Sequence, residues 1–253
     1  MRRTISLPIA TLMAAAALTS CSSSDKPATD TSTSSSQLKQ PTAQTKAVTV
    51  RLAWSRITKD GGDTEVSYVA RIKNPGTSPA SVALDVRALD KTGTIVGSSQ
   101  ETLPNIQAGA TFDFLGDLGG GISGNLTGTP AKLQISQNKD ASGQAGAVDN
   151  PMLATSEMKL STGSRDDLYT DADALYAYNL KVKVTNSTHE AVTNGVTQQV
   201  VLYDAKGNVV GGDTGSSDNV PDNLPTGMSY REQWTGIPAT AKAVRAVYTV
   251  WQG

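Results

Sequence analysis

The chain has 253 residues, 22 of them basic and 23 acidic, for a formal charge of −1. That leaves no basic excess for a nucleic-acid backbone or a polybasic membrane patch, so nucleic acid is not an expected partner. A single cysteine, Cys21, and a single histidine, His189, exclude an intrachain disulfide, a cysteine-ligated metal and most arrangements that need an imidazole base.

Residues 1–20 read as a signal peptide. Arg2 and Arg3 precede a 14-residue apolar run, Ile5 to Leu18, and Leu18-Thr19-Ser20-Cys21 closes it. As a helix that run measures about 21 Å, too short for a bilayer core of about 30 Å. The closing tetrad resembles the lipobox of bacterial lipoproteins, which implies that Cys21 carries acyl chains such as palmitate. Two chains hold a protein on a membrane durably where one does not. Without residues 1–20, 20 basic residues face 23 acidic ones, a charge of −3. The expected location is the outer face of a bacterial cell membrane.

Residues 21–46 are dominated by Ser, Thr, Pro, Gln and Lys, with one Leu and no aromatic residue. Such a segment buries too little apolar surface to offset its ordering entropy and is read as a tether. Its root-mean-square span is about 25–30 Å.

At Ala47 the texture changes to the two-residue period of half-buried strands. Val48, Val50, Leu52 and Trp54 alternate with smaller or polar residues, and Val66 to Lys73 do likewise until Asn74-Pro75-Gly76. Val82 to Ala88 predict a third strand, closed by Asp90-Lys91-Thr92-Gly93 as a hairpin turn. Ile95-Val96 resumes, Phe112 and Phe114 alternate, 116–128 (GDLGGGISGNLTG) reads as a flexible loop, and 132–136 as a last strand. Short strands punctuated by turns, without a sustained 3.6-residue period, indicate an all-β fold of sandwich type.

The polar stretch 138–151 is read as a linker between a first domain, 47–137, and a second, 152–253. The second half repeats the first. Tyr178 to Val184 end at Asn186 as Val66 to Lys73 end at Asn74, and Val200 to Asp204 precede Ala205-Lys206-Gly207 as Val86 to Asp90 precede Gly93. Gly227 and Tyr230 echo Gly109 and Phe112. Equivalent positions drift apart by 112 (Asn74, Asn186), 114 (Asp90, Asp204) and 118 residues (Gly109, Gly227), as insertions in loops would produce.

Leu202-Tyr203-Asp204 with its following Gly turn resembles the FxLYD-type domain, a small immunoglobulin-like β-sandwich of bacterial and archaeal envelope proteins. Val200 stands where that family has Phe, and the first repeat offers only Ala88-Leu89-Asp90. The resemblance implies two tandem immunoglobulin-like sandwiches and brings no catalytic residue. In physical terms Leu202 faces a core, Asp90 and Asp204 open turns by accepting backbone N–H groups, and Gly93 and Gly207 supply positive φ.

Candidates for chemistry are few. Asp166, Asp167, Asp171 and Asp173 present acids to a hard cation, but without the glycine and distal Glu of a calcium loop. Asp213, Asp218 and Asp222 invite the same comparison. The Gly119–Gly121 run lacks the Lys-Ser/Thr of a phosphate loop. Ser164 and Ser216 lack a nucleophile elbow, His189 reads as a surface residue, and Trp54, Trp234 and Trp251 as core or edge residues. No cofactor is expected. The sequence therefore supports a non-enzymatic binding or scaffold module whose partners are the membrane, through its lipid, and another envelope protein. The competing reading is an accessory lipoprotein that binds a small ligand or calcium through its acidic loops.

Overall fold

The computed structural model describes residues 47–253 apart from 61–62, 120–125, 141–150, 169–172, 194, 218 and 253. The stretches read above as signal peptide and tether, Cys21 included, and most of the one read as a linker lie outside the described residues. Twelve strands carry the fold: β1 (Thr49–Asp60), β2 (Asp63–Lys73), β3 (Ala83–Leu89), β4 (Ile95–Thr102), β5 (Thr111–Gly119), β6 (Lys132–Gln137), β7 (Ala154–Thr162), β8 (Tyr176–Thr185), β9 (Val196–Tyr203), β10 (Val209–Ser216), β11 (Ser229–Ala239) and β12 (Arg245–Gln252). A 3-10 turn over Arg165–Asp167 is the one helical element among the described residues. No helix there is long and apolar enough to cross a membrane.

In the first repeat, sheet β1-β2-β5 faces sheet β4-β3-β6. Tyr68, Ile72, Leu84, Val86, Phe112 and Leu118 fill the space between them, the expected product of alternating strands with one face inward. The second repeat uses the same strand order, β7-β8-β11 and β10-β9-β12, but the two halves join edge to edge through one pair, Gly211 with Ala239. A Cβ on Gly211 would lie 2.1 Å from the Pro238 carbonyl oxygen, so only glycine permits this seam. Leu180, Val182, Val200, Leu202, Ile237 and Tyr248 form the second core.

The repeat holds at the level of single hydrogen bonds. The Asn74 and Asn186 side chains are buried. Each donates from Nδ2 to two carbonyls at 2.8–2.9 Å, Ser78 and Ile106 for Asn74 and Glu190 and Leu224 for Asn186, and Asn74 also reaches the Gln107 carbonyl at 3.2 Å. Each acceptor pair links the end of one strand to a distant isolated bridge, Ala80 with Ile106 and Val192 with Leu224. These residues are more than the turn formers expected. They are pins for a long-range crossing.

Two local expectations differ from the structure. β5 continues through Gly116–Gly119 in register with β2, so the expected loop begins later. The glycines there are close-approach residues, since a Cβ on Gly119, at φ 91°, would sit 2.3 Å from the Thr64 carbonyl oxygen. In β1, a bulge between Leu52 and Trp54 breaks the alternation. Val48 and Val50 pack on the first core, whereas Ala53 and Trp54 turn to the opposite side.

That opposite side meets the second repeat. Residues 44–253 form one compact unit, and its third cluster joins Val69 and Leu115 to Val201, Tyr203 and Val209, with Trp54 and Val247 alongside. β9 is thus buried on both faces, which explains its unbroken Val200-Val201-Leu202-Tyr203 run. At the chain's end Trp251 leaves its own repeat and packs edge-on against Phe112 of the first core, with ring centroids 6.5 Å apart.

Candidate functional site: a basic cleft between the repeats

Arg51 and Arg71 stand on the same outward face of sheet β1-β2-β5 that carries Val69 and Leu115, because they fall at matching positions of the two-residue period. Tyr203 and Arg245, directly paired on β9 and β12, stand on the facing surface. Where the apolar contact between the sheets ends, these residues and Lys73 line a cleft of about 540 Å³. Thr49, Thr111 and Thr249 bring hydroxyls to its wall and Val247 an apolar patch.

Asp113 organises the inner end. Arg71 donates to it twice, Nε to Oδ1 at 2.6 Å and Nη2 to Oδ2 at 2.5 Å. From the other repeat the Tyr203 hydroxyl donates to Oδ2 at 2.6 Å. Burial by itself would raise the Asp113 carboxyl; the bonds from Arg71 and Tyr203 outweigh it and hold the group below its ordinary value. The Tyr203 phenol is pushed up, first by burial and then by its bond to this carboxylate. The Arg245 guanidinium lies 3.9 Å above the Tyr203 ring, a cation–π contact that fixes its plane.

Behind the cleft the wholly buried Gln199 seals the exposed edge of β5. Its Oε1 accepts from the Leu115 N–H at 2.9 Å and its Nε2 donates to the Asp113 carbonyl at 2.6 Å. A side-chain amide thereby occupies the place of a neighbouring strand, and the two backbone groups are not left unpaired in an apolar contact.

Among the described residues, Arg51, Lys73 and Arg245 take part in no ion pair. The cleft is therefore cationic on a chain that is acidic overall, and its only carboxylate is already saturated by Arg71 and Tyr203.

The residues singled out from the sequence lie elsewhere, except Tyr203. Leu202 faces the second core. Asp90 accepts from the Thr92 and Thr94 N–H groups and Asp204 from those of Lys206 and Asn208, each at 2.8–2.9 Å, with Gly93 at φ 90° and Gly207 at φ 82°. Both carboxyls are held low by these bonds, to the side chain of Thr92 and of Asn208 first. Asp166 and Asp173 are exposed and Asp167 half-buried, and the first two acids of the loop take part in a cap: Ser164 Oγ accepts from the Asp166 N–H, and Asp167 accepts from the Ser164 N–H. Asp171 and Asp218 lie outside the described residues. His189 and Asp222 are exposed. No three His, Cys, Asp or Glu side chains gather for a metal ion among the described residues.

Arg51, Lys73, Asp113 and Arg245 went unnoticed in the sequence. Arg71 and Asp113 had a signal, since a charge amid the apolar residues of a strand is costly unless paired. Nothing local marked the other three.

No protein-family model matches the chain, and no curated protein matches it. Among solved structures it is similar to red sea bream transglutaminase at 12% identity and a TM-score of 0.22, over 79% of this chain and 28% of that one. A likeness of that size carries no functional argument. What stands is an all-β fold of sandwich type with a built cleft between its repeats.

Proposed function

We propose that this chain is an exported bacterial lipoprotein, held on the outer face of the cell membrane through acyl chains on Cys21, whose two FxLYD-like domains form a non-enzymatic binding module. Its ligand seat is the cleft between the repeats. The observation that carries this reading is the cleft itself: three unpaired cations and a stacked tyrosine are set on two rigid sheets whose contact is sealed by Gln199. Rigid walls with a few placed polar groups are the usual form of a binding site. The lipidation part rests on the order of basic residues, short apolar run and Leu-Thr-Ser-Cys.

Hydrogen–deuterium exchange on the full chain, with and without a solubilised envelope extract, tests the seat. Protection is expected over Thr111–Phe114 and Arg245–Thr249. Protection confined to the exposed β7 or to β4, with none at the cleft, would move the binding surface elsewhere. The acidic-loop alternative has no geometry in its favour among the described residues.

A further inference from the structure

The cleft's chemistry narrows the class of ligand. We propose that it is a phosphate site, taking a phosphorylated group through Arg51, Lys73 and Arg245, with Arg71 Nη1 behind them; this deepens the reading of the cleft as the ligand seat and rests on it.

Every charged side chain free to bind there is a donor. Guanidinium and ammonium groups only donate, and the one carboxylate, Asp113, already receives three hydrogen bonds, while the threonine hydroxyls can donate or accept. A ligand rich in acceptors and negative charge fits this set, which sets cations and amines aside. The uncompensated charge is that of three cations, so a group carrying two or three negative charges matches it and a single carboxylate does not. The donors also come from different directions. Arg51 and Lys73 stand on the first repeat, Arg245 on the second, and Thr49, Thr111 and Thr249 on three separate strands. A flat carboxylate meets one guanidinium edge to edge, whereas a tetrahedral phosphate with three or more oxygens engages several donors at once. Arg245 stacks on Tyr203, which leaves its in-plane N–H groups for the ligand. Val247 gives the organic part of the ligand an apolar rest.

The phosphate can belong to a soluble molecule or to a lipid headgroup. Thr49 and Arg51 open the folded part, 28 and 30 residues after Cys21. The acyl chains proposed on Cys21 would put headgroups near this chain, so both sources enter the test.

The test titrates the full chain at low ionic strength with inorganic pyrophosphate, and with citrate as a carboxylate of similar charge. Saturable pyrophosphate binding is expected, at least about tenfold tighter than citrate and falling steeply with salt. Arg51→Gln/Lys73→Gln should weaken it at least about tenfold. Neither residue touches the Asp113–Tyr203 or Gln199 contacts, so an unchanged ligand-free melt separates lost binding from lost fold; if the double variant melts early, Arg51→Gln alone serves. In a second arm, vesicles of phosphatidic acid, whose headgroup is a phosphomonoester, in phosphatidylcholine report the source. Vesicle binding displaced by pyrophosphate indicates a headgroup, and pyrophosphate binding without vesicle binding indicates a soluble ligand; both support the site. Pyrophosphate binding that is absent, or undiminished in the variants, overturns it. Citrate binding as tight as pyrophosphate also overturns it, yet leaves the cleft as ligand seat, whereas exchange protection on another surface removes both readings.

Discussion

The Tyr203 hydroxyl donates to Asp113 Oδ2 at 2.6 Å, and the two residues belong to different repeats, 90 positions apart. Through Asp113 the bond reaches Arg71, so one carboxylate links both walls of the cleft. The equivalent of Tyr203 in the first repeat is Leu89, which has no hydroxyl. The repeats differ at the position where they touch.

Tyr203→Phe should therefore keep the ring under Arg245 and lose only the donated bond, at a cost of about 1–2 kcal/mol. Asp113→Ala should cost more, since it strands a half-buried guanidinium and a buried phenol together. Urea melts of both variants check the order. A Tyr203→Phe loss equal to that of Asp113→Ala would mean the carboxylate acts on Tyr203 alone.

The buried asparagines offer a symmetric experiment. Asn74→Ala and Asn186→Ala each remove the side-chain bonds to carbonyls at a strand crossing, and each should cost about 2 kcal/mol. Similar losses in thermal melts are expected because the geometry is the same in both repeats. A large loss at one site and none at the other would show that only one crossing depends on its pin.

Leu202 and Asp204 separate core from turn. Leu202→Ala opens a cavity in the second core and should cost about 2–5 kcal/mol. Asp204→Ala removes an exposed turn cap and should cost clearly less. A reversed order in urea melts would assign Asp204 a role beyond its turn.

Asp213 gives a pH dependence with a definite sign. Burial first, then the nearby Glu65 and Asp117 charges, push its carboxyl up to about 6, against a Thr214 N–H bond that lowers it. A raised carboxyl favours the folded state while it keeps its proton. The stabilisation is full below about pH 4, where the unfolded chain is protonated too, and is lost as pH rises through about 6. Asp213→Asn keeps the acceptor for Thr214 and cannot ionise. It should be more stable than wild type by about 2 kcal/mol at pH 7, and the difference should vanish near pH 4. A difference independent of pH in paired melts would sink the assignment.

Cys21→Ala tests the anchor. It should release the chain from the membrane fraction or leave it as unprocessed precursor. A correctly cleaved variant that still sediments with membranes would show that something other than lipid holds it.

The strand pattern was legible from the sequence because alternation in a half-buried strand is a local property: Val66 to Ile72 and Leu180 to Val184 carry it in consecutive residues. The Asp90 and Asp204 turns were legible for the same reason, their bonds closing within four residues. Trp54 was misjudged because a bulge flips every later side chain to the other face and leaves no compositional trace. The cleft was not legible at all. Net charge is a sum over the chain, and a total of −1 is compatible with any placement of its cations. Arg51, Lys73 and Arg245 become neighbours only when the outer face of β1-β2-β5 meets β9 and β12. That contact is set by Val69, Leu115, Val201 and Tyr203, an apolar set that looks like ordinary core until two sheets are found back to back. Sequence decides what each strand buries; the pairing of faces far apart in the chain decides which charges are left at the rim.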